Sequence, residues 1–557
     1  MSFNNKTTVS RSAFIAQLLP SFYFIAAIFV GVLLRLYQIT SQIIADDEWH
    51  ALKIVMTKSY SSIVSHFGTA DYCIPLACYY KLLAGTVGLS EMIMRFPLLI
   101  LGMCSLIVFP LLTQKYIGRN ASIILAGLLA ISPLHIYFSR LARPYSICMF
   151  FAFIGIVAFY NWLNGGSRRW AFLYMISTLI SVYFHLILLS IMIAPLVFAL
   201  CNQACRAKKY PRSIKEIVFI SAPIIGALTI VLLPPILFDF QALTGKSGWG
   251  RPIELDTIAG AAELIVGTKT GWIIITALIV GIVFGGISFA KKQLDFLLYL
   301  VFLSFFQIAS LLISQPAWYN HPIVFVRYSL VLLIFFLMFF SAGLNRLDEM
   351  LTLRVRGFKK GIMPAFVILV LFIYSPLKDI YYSPNQWTNH ALFQYCYDVD
   401  NQKHSYKNKI YPRQISQFYY YLQSLPKESV LIVEAPWFFA YHNNPYPYYQ
   451  KIHRQLMGIG FIGKACNYSL LGEFSSDRRD FHFKHFFHIS DRASLLKRNV
   501  KFAIFHKNLK AELPKEQYAV SYGDPIVDLT SCIEQYKKLW GTPFYEDSLL
   551  AAFDIGK

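Results

Sequence analysis

The sequence predicts an α-helical polytopic membrane protein with a polar α/β domain at its C-terminus. Of its 557 residues, 56% are hydrophobic and only 15% are charged, a composition unlike that of soluble enzymes or disordered proteins. Apolar runs of about twenty residues, long enough to cross a hydrocarbon layer, recur from the N-terminus and stop near Pro376. We therefore expect a transmembrane domain over residues 1–377 and an extracytoplasmic α/β domain over residues 378–557.

About eleven apolar runs are interpreted as membrane spans. They lie near residues 15–39, 92–113, 120–138, 145–163, 170–184, 186–201, 217–238, 271–289, 296–314, 327–345 and 361–377. The first run is long for a signal peptide and is followed by no small-residue cleavage site, so we interpret it as a true span. An odd number of spans places the two termini on opposite sides of the membrane.

Lys and Arg cluster in the short connections on the N-terminal side of the membrane, which predicts that this side is cytoplasmic. The C-terminal domain is then extracytoplasmic. The net charge of +21 follows the same division, with +16 in residues 1–377 and +5 in residues 378–557. Because the excess charge belongs mainly to the membrane domain, nucleic acid is not expected as a partner.

The most concentrated group of acids is Ala45-Asp46-Asp47-Glu48-Trp49-His50, near the start of the first outward loop, residues 40–91. Acids at a helix start commonly cap the helix or complement its dipole. Alternatively, a carboxylate at the membrane surface is able to act as a general base on an attacking hydroxyl. The spacing alone does not choose between these two interpretations.

A polar hairpin, residues 131–145, joins two spans on the outward side and carries Arg140 and Arg143. Arginines at span ends often serve as anchors in the membrane interface. A guanidinium group also binds phosphate well, so a phosphate-binding role is the second interpretation.

As an ordered set, these stretches resemble the GT-C superfamily of integral-membrane glycosyltransferases, in the branch with protein O-mannosyltransferases and lipid A aminoarabinose transferases. The matching pieces are Asp47-Glu48, Asp71-Tyr72-Cys73-Ile74-Pro75-Leu76 with Tyr79-Tyr80, Ser90-Glu91 with Arg95-Phe96-Pro97, Ser132-Pro133 to Arg143-Pro144-Tyr145, and Arg327-Tyr328. The resemblance covers roughly the first 190 residues well and the later spans loosely.

The resemblance implies an enzyme that inverts the sugar as it moves a monosaccharide from a polyprenyl-phosphate donor to an acceptor hydroxyl. The implied catalytic residue is Asp47, with Glu48 and Asp46 beside it. The implied site residues for the donor phosphate are Arg143, Arg327 and Arg95, and those for substrate binding are Asp71 and Tyr145. No cofactor and no metal is expected, because consecutive acids on a helix point in different directions.

Two departures from the family pattern concern the donor sugar more than the reaction. Many relatives have His-Pro-Pro-Leu where this chain has Cys73-Ile74-Pro75-Leu76, and the hairpin often carries Glu at the position of Leu141. The expected partners are a polyprenyl-phosphate-linked sugar, a glycan, lipid or protein acceptor, and membrane lipids. The expected location is the bacterial inner membrane, with the C-terminal domain in the periplasm.

Two other function classes remain open at this stage. One is a transporter or flippase of a lipid-linked saccharide, which usually needs charged residues in the middle of its spans. No carboxylate or Lys occupies such a position in the predicted spans. The other class is a noncatalytic assembly protein of the cell envelope.

In residues 378–557 the patterns predict helices over Ile415–Leu425 and ending at Arg498, strands at 429–433 and 501–505, and a turn and strand near the C-terminus. His482, His485 and His488 are spaced as on one helix face, which we interpret as a polar stripe more than a metal site. Cys396, Cys466 and Cys532 permit one disulfide in this domain, and no specific pairing is predicted.

Overall fold

The computed structural model describes residues 21–40, 42, 48, 51, 54–55, 58–68, 73–204, 210–245, 252–382, 412–435, 446–461, 486–489, 492–508 and 529–556. The chain divides into two compact units. The first unit, here called the helical unit, comprises Met1–Tyr37, Val64–Leu76 and Arg95–Leu377. The second unit, here called the mixed unit, comprises Gln38–Ile63, Ala77–Met94 and Lys378–Lys557.

The described part of residues 1–382 contains the following α-helices. They are α1 (Phe22–Leu36), α2 (Tyr60–Ser65), α3 (Ile74–Ala84), α4 (Glu91–Ile117), α5 (Arg119–Ile131), α6 (Pro133–Ser139), α7 (Tyr145–Leu163), α8 (Arg168–Phe184), α9 (Leu189–Ala204), α10 (Ile214–Gly245), α11 (Leu255–Val266), α12 (Gly271–Leu278), α13 (Gly286–Ser314), α14 (Pro322–Tyr328), α15 (Val331–Arg354), α16 (Ile362–Ile373) and α17 (Leu377–Tyr382). A 3₁₀ turn, Leu186–Leu188, precedes α9, and a π-helical turn, Ile279–Gly285, joins α12 to α13.

The apolar helices confirm a multi-pass membrane protein. Among the described residues, six helical segments are long and apolar enough to cross a membrane, or seven if the bent pair α5 and α6 is one span. Each of the eleven predicted segments contains a helix, but α1 and α16 are shorter, with 15 and 12 residues. The predicted number of eleven spans is therefore not confirmed. The predicted range 145–163 coincides with α7, and nearly all residues of this helix are buried.

Several helices bend where the sequence disrupts the backbone hydrogen bonds. Between α5 and α6 the axis turns by 62°, at Pro133. The long helix α10 contains three prolines and a non-helical residue, Asp239. In α13 the residue Gln293 leaves helical geometry, so the predicted spans 271–289 and 296–314 lie in one interrupted helical segment. Proline removes an N–H donor and clashes with the preceding turn, which explains the first two bends.

The described part of residues 412–556 forms an α/β domain around one sheet. Its elements are α18 (Gln417–Ser424), β1 (Leu431–Ala435), α19 (Tyr446–His453), β2 (Leu456–Phe461), β3 (Phe486–His488), α20 (Arg492–Lys497), β4 (Val500–His506), α21 (Thr530–Trp540), β5 (Tyr545–Glu546) and β6 (Leu550–Asp554). The six described strands have the order β3-β2-β1-β4-β6-β5. The first four are parallel, and β6 pairs antiparallel with both β4 and β5.

The two faces of this sheet are packed differently. One face is apolar: Val433, Ala503 and Phe505 pack with Ile533 and Tyr536 of α21. Because side chains alternate along a strand, Glu434 and His506 project to the opposite face. There they meet Tyr419 of α18 and Tyr449 of α19, and all four side chains are buried. This face therefore has a polar centre.

The sequence predictions for this domain are confirmed in outline. Helix α18 falls within the predicted helix Ile415–Leu425, and β1 and β4 overlap the two predicted strands. One prediction is wrong: His488 ends strand β3, which pairs with β2, so the three-residue spacing of histidines does not mark a helix there. His482 and His485 lie outside the described residues. Cys532 is disulfide-bonded, as the cysteines of this domain permitted.

Candidate functional site

The predicted catalytic acids are described only in part. Asp46, Asp47 and Asp71 lie outside the described residues, and their roles stay predictions. Glu48 is described, is helical and is fully buried. An acid that only complements a helix dipole is normally solvated, so the burial of Glu48 does not fit the simple dipole interpretation of this residue.

The hairpin places Tyr145 at the first position of α7, two residues after Arg143. The Ser146 hydroxyl donates to the carbonyl oxygen of Leu98 at 2.9 Å, which ties the start of α7 to α4. Tyr145 is almost fully buried, and its ring meets Phe138 with the ring centroids 5.0 Å apart. The Arg143 side chain is half-buried, so part of it is accessible from outside the protein.

Arg327 lies against the same tyrosine, although 182 positions separate the two residues in the sequence. Its guanidinium carbon is 5.8 Å from the ring centroid of Tyr145 and 5.2 Å from that of Tyr328. A guanidinium over aromatic faces is stabilised by the ring quadrupoles. The structure thus brings together Tyr145 and Arg327, which the sequence had proposed separately for substrate and phosphate.

His185 completes this aromatic group. Its ring centroid is 6.0 Å from that of Tyr145 and 5.6 Å from that of Tyr328. The backbone N–H of Ile187 donates to Nδ1 of His185 at 3.4 Å, a local capping bond. That bond gives His185 a local structural role. Its neighbours also make it part of the lining around Arg327, which the sequence alone did not indicate.

A buried amide holds the end of helix α14, where Arg327 and Tyr328 lie. Nε2 of Gln307 donates to the carbonyl oxygen of Tyr328 at 2.7 Å, and the Ser190 hydroxyl donates to Oε1 of Gln307 at 2.6 Å. Carbonyls at a helix end have no partner within the helix, so Gln307 satisfies one of them. Helices α9, α13 and α14 are thereby linked behind the group formed by Tyr145, His185, Arg327 and Tyr328, here called the outer aromatic cluster.

Three other arginines of the helical unit are fully buried: Arg35, Arg95 and Arg140. Arg95 was predicted to bind the donor phosphate, and this role stays a prediction for a side chain that has no exposed surface. Arg140 is not an interface anchor. Its Nη1 donates to the carbonyl oxygens of Tyr37 at 2.7 Å and Leu34 at 3.3 Å.

In the mixed unit, one arginine missed by the sequence reasoning is notable. The Arg498 guanidinium carbon lies 3.6 Å from the ring centroid of Phe487. Burial lowers the pKa of Arg498 to about 10, and the negative charge of Glu91 opposes this shift. Glu91, part of the Ser90-Glu91 piece of the family resemblance, is therefore within electrostatic reach of the C-terminal domain, which sequence separation had hidden.

The polar face of the sheet contains a second charged group. Nε2 of His506 donates to Oε2 of Glu434 at 2.9 Å, and the Tyr419 hydroxyl donates to the same oxygen at 3.0 Å. Nε2 of His453 lies 3.6 Å from Oε1 of Glu434. Burial by itself would raise the pKa of Glu434, but the His453 and His506 imidazoles hold it below its ordinary value.

Among the described residues, no group of three or more His, Cys, Asp or Glu side chains is arranged to hold a metal ion. Glu434 and His506 of this face are hydrogen-bonded, with His453 beside them. The predicted acidic triplet of the first outward loop lies mostly outside the described residues.

Several solved structures are similar to this chain. No family model and no curated protein matches the chain. ArnT from Cupriavidus metallidurans bound to undecaprenyl phosphate matches over 98% of both chains with 9% identity and a TM-score of 0.45. The apo state of the same enzyme covers 95% of this chain and 97% of the other, with 10% identity and a TM-score of 0.44.

The Archaeoglobus fulgidus oligosaccharyltransferase in complex with Zn and sulfate is also similar. The match covers 94% of this chain and 72% of the oligosaccharyltransferase chain, with 13% identity and a TM-score of 0.39.

Proposed function

We propose that this chain is an inverting glycosyltransferase that moves a monosaccharide from a polyprenyl-phosphate donor to an acceptor hydroxyl at the outer face of the membrane. The observation that carries this proposal is the outer aromatic cluster. It places the half-buried Arg327 against Tyr145 and Tyr328, and Tyr145 lies two positions after the half-buried Arg143 in the sequence.

The arginines supply what the reaction needs at the leaving group. As the bond between the sugar C1 and the phosphate oxygen breaks, its electron pair stays on that oxygen and the lipid phosphate gains charge. A guanidinium forms charge-assisted, bidentate hydrogen bonds with such a group. In a partly dehydrated site these bonds lower the energy of the transition state more than in water. Arg143 and Arg327 are the proposed donors, and Arg95 is a further candidate.

A carboxylate is proposed to accept the proton of the acceptor. As the acceptor oxygen attacks C1 on the side opposite the phosphate, its O–H proton passes to Asp47, and the anomeric configuration inverts. Glu48 and Asp46 lie beside Asp47 in the sequence, and Asp71 is a proposed substrate-binding residue. The products are the glycosylated acceptor and free polyprenyl phosphate. A well-placed general base typically contributes about 10²- to 10⁴-fold in rate.

The disulfide at Cys532 supports an extracytoplasmic location of the C-terminal domain, because disulfides persist in oxidising compartments. It agrees with the clusters of Lys and Arg that predict a cytoplasmic N-terminus. We propose the bacterial inner membrane, with this domain in the periplasm. The proposed partners are a polyprenyl-phosphate-linked sugar, membrane lipids, and a glycan, lipid or protein acceptor.

The test uses purified full-length wild type, Asp47→Asn and a control, Asp256→Asn, which alters an exposed acid in the first turn of α11. Each is incubated with a panel of radiolabelled polyprenyl-phosphate monosaccharides and membrane extract. We expect label transfer and release of polyprenyl phosphate by the wild type and Asp256→Asn, and a loss of at least about 100-fold in Asp47→Asn.

Equal transfer by Asp47→Asn and wild type would remove Asp47 as the base. Absence of transfer by the wild type across the panel, together with movement of an intact labelled donor across vesicles that contain the protein, would replace the proposal with a transporter or flippase.

A further inference from the structure

The bend between α5 and α6 creates a local problem in hydrogen bonding. In a continuous helix the carbonyl oxygen of Leu129 would accept from the N–H of residue 133, but Pro133 has none. Ser132, with ψ at 113°, also takes the backbone out of helical geometry. The last carbonyls of α5 therefore need donors from elsewhere, because the bend is buried.

Arg35 of α1 supplies these donors. Nη2 of Arg35 donates to the carbonyl oxygen of Leu129 at 3.1 Å, and Nη1 donates to that of Ala130 at 3.4 Å. Nη1 also donates to the carbonyl oxygen of Gly31, one turn back in its own helix, at 2.7 Å. Arg35 is thus a side-chain cap for the end of a helix almost a hundred residues away in the sequence.

A histidine continues the same network on the far side of the bend. Nη2 of Arg35 is hydrogen-bonded to Nδ1 of His135. Because arginine only donates, Nδ1 must accept, and the ring proton lies on Nε2. Nε2 faces Oγ of Ser105 at 2.9 Å, and the Ser105 hydroxyl donates to the carbonyl oxygen of Gly102 at 2.7 Å. The donors and acceptors of this series of hydrogen bonds can thus be assigned consistently. The side chains of Arg35, His135 and Ser105 are all fully buried.

Glycine allows the helices to approach closely enough for these bonds. A Cβ on Gly31 would lie 2.6 Å from Cδ1 of Leu106 and 3.1 Å from Cα of Ala130. A Cβ on Gly102 would lie 2.2 Å from Oγ of Ser139. All three distances are shorter than van der Waals contact, so a larger residue separates α1 from α4 and α5 at position 31 and separates α4 from α6 at position 102.

Arg140 makes the reciprocal connection. It follows α6 directly, and its Nη1 donates to the carbonyl oxygens of Leu34 and Tyr37 at the end of α1. Arg35 of α1 therefore caps α5, while Arg140 of the hairpin caps α1. We call this pair of arginines with their carbonyl partners the reciprocal clamp. Removing either arginine takes a charged donor away from its carbonyl partners.

We propose that Arg35 and Arg140 are positioning residues that fix the outward hairpin, and with it Arg143 and Tyr145, for binding of the donor phosphate. This inference rests on the proposed function. The connection is short, because Arg143 lies only three positions after Arg140. Neither clamp arginine is a catalytic residue, since both are fully buried and donate to backbone carbonyls.

The first experiment measures steady-state kinetics of Arg35→Gln, Arg35→Lys and Gly31→Leu in full-length protein, with Gly226→Ala as the matched control. Gly226 is also a helical glycine of the helical unit, but a Cβ there meets nothing within 4 Å. We expect the KM for the donor to rise at least about tenfold in Arg35→Gln and Gly31→Leu, with the acceptor KM unchanged, because charge-assisted bonds are lost.

Arg35→Lys is expected to recover part of the donor KM, since one ammonium group replaces some of the donors. A lower kcat with unchanged donor KM in Arg35→Gln would indicate only a smaller folded fraction and would overturn the positioning role.

A second measurement needs no activity. Cys148 is buried in the first turn of α7, three residues after Tyr145, whereas Cys201 is exposed. Alkylation of each thiol by N-ethylmaleimide is followed by peptide mass spectrometry. We expect Cys148 to react at least about tenfold faster in Arg35→Gln, with Cys201 unchanged. Unchanged protection of Cys148 overturns the clamp. Loss of protection in a protein whose wild type transfers no sugar leaves the clamp in place and refutes the proposed function.

Discussion

Two arginines of the hairpin 131–145 have opposite environments. Arg140 is fully buried and donates to backbone carbonyls at the end of α1, whereas Arg143, three residues later, is half-buried. Arg327 resembles Arg143 in exposure and lies against two aromatic rings. A guanidinium whose hydrogen bonds are directed to carbonyls stabilises the fold, whereas we propose that the two half-buried arginines bind an anion. We therefore expect substitution of Arg140 to have a different effect from substitution of Arg143 or Arg327, although all three are arginines.

The largest expected effect concerns an accessible arginine. We expect Arg327→Gln to lower the rate of sugar transfer by about 100- to 1000-fold, because a donor to the developing phosphate charge is lost. Its thermal midpoint should stay close to that of the wild type. The control is Arg354→Gln, which alters an exposed arginine at the end of α15. Full transfer by Arg327→Gln would remove this arginine from the site.

The buried arginine should show the reverse pattern. We expect Arg140→Gln to reduce the free energy of unfolding by about 1–3 kcal/mol, because two partly buried carbonyls lose a charged donor. Thermal unfolding of the purified protein in detergent measures this change. If Arg140→Gln keeps the thermal midpoint of the wild type but loses donor binding, then Arg140 binds the donor as proposed for Arg143 and Arg327, and the predicted difference between the arginines is wrong.

A third prediction applies the same contrast to the sheet, where Glu434 is the buried charge. The pKa of this carboxyl is lower in the folded state than its ordinary value of 4.5. Its contribution to stability is therefore present above that value and is lost as the pH falls through the lower, folded value. We expect hydrogen exchange of the β1 amides, corrected for the intrinsic pH effect, to become faster on acidification below about pH 4.5.

Glu434→Gln should remove part of this pH dependence, while Glu428→Gln, at a half-exposed position, should keep it. Identical pH dependence in wild type and Glu434→Gln would show that the buried group does not contribute.

The smallest effect is expected for an aromatic neighbour of Arg327. Replacing Tyr328 with Leu removes one ring face at 5.2 Å from the guanidinium carbon. Cation–π contacts contribute about 0.5–2 kcal/mol, which corresponds to a change of about twofold to thirtyfold in donor KM. Titration of donor binding to the purified variant measures this. No change would mean that Tyr145 alone orients Arg327.

The sequence predicted local elements well where one physical signal dominates. Helix α7 has the predicted range 145–163, because an apolar run between the hairpin and a Gly-Gly turn leaves little ambiguity. The strands β1 and β4 were recognised from β-branched and aromatic residues. By contrast, the histidine spacing at 482–488 indicated a helix, and pairing of Phe486 and Phe487 with β2 decided for a strand at that point.

The candidate site was predicted as residue types and not as an arrangement. The motifs named Tyr145 and Arg327, but only folding shows them to be neighbours. Arg35 and His135 were not selected at all, because their contact joins residues one hundred positions apart. The sequence also did not distinguish Arg140 from Arg143, since both precede the same apolar helix and carry the same charge.

The sequence is sufficient to predict a multi-pass membrane protein with an α/β domain at its C-terminus, and it gives the residue types of the hairpin 131–145. Those properties follow from hydrophobic length and period, which act locally along the chain. Which arginine donates to backbone carbonyls and which stays half-buried depends on long-range contacts. These contacts form where the carbonyls at a helix bend lose their own donors and where two helices meet at a glycine.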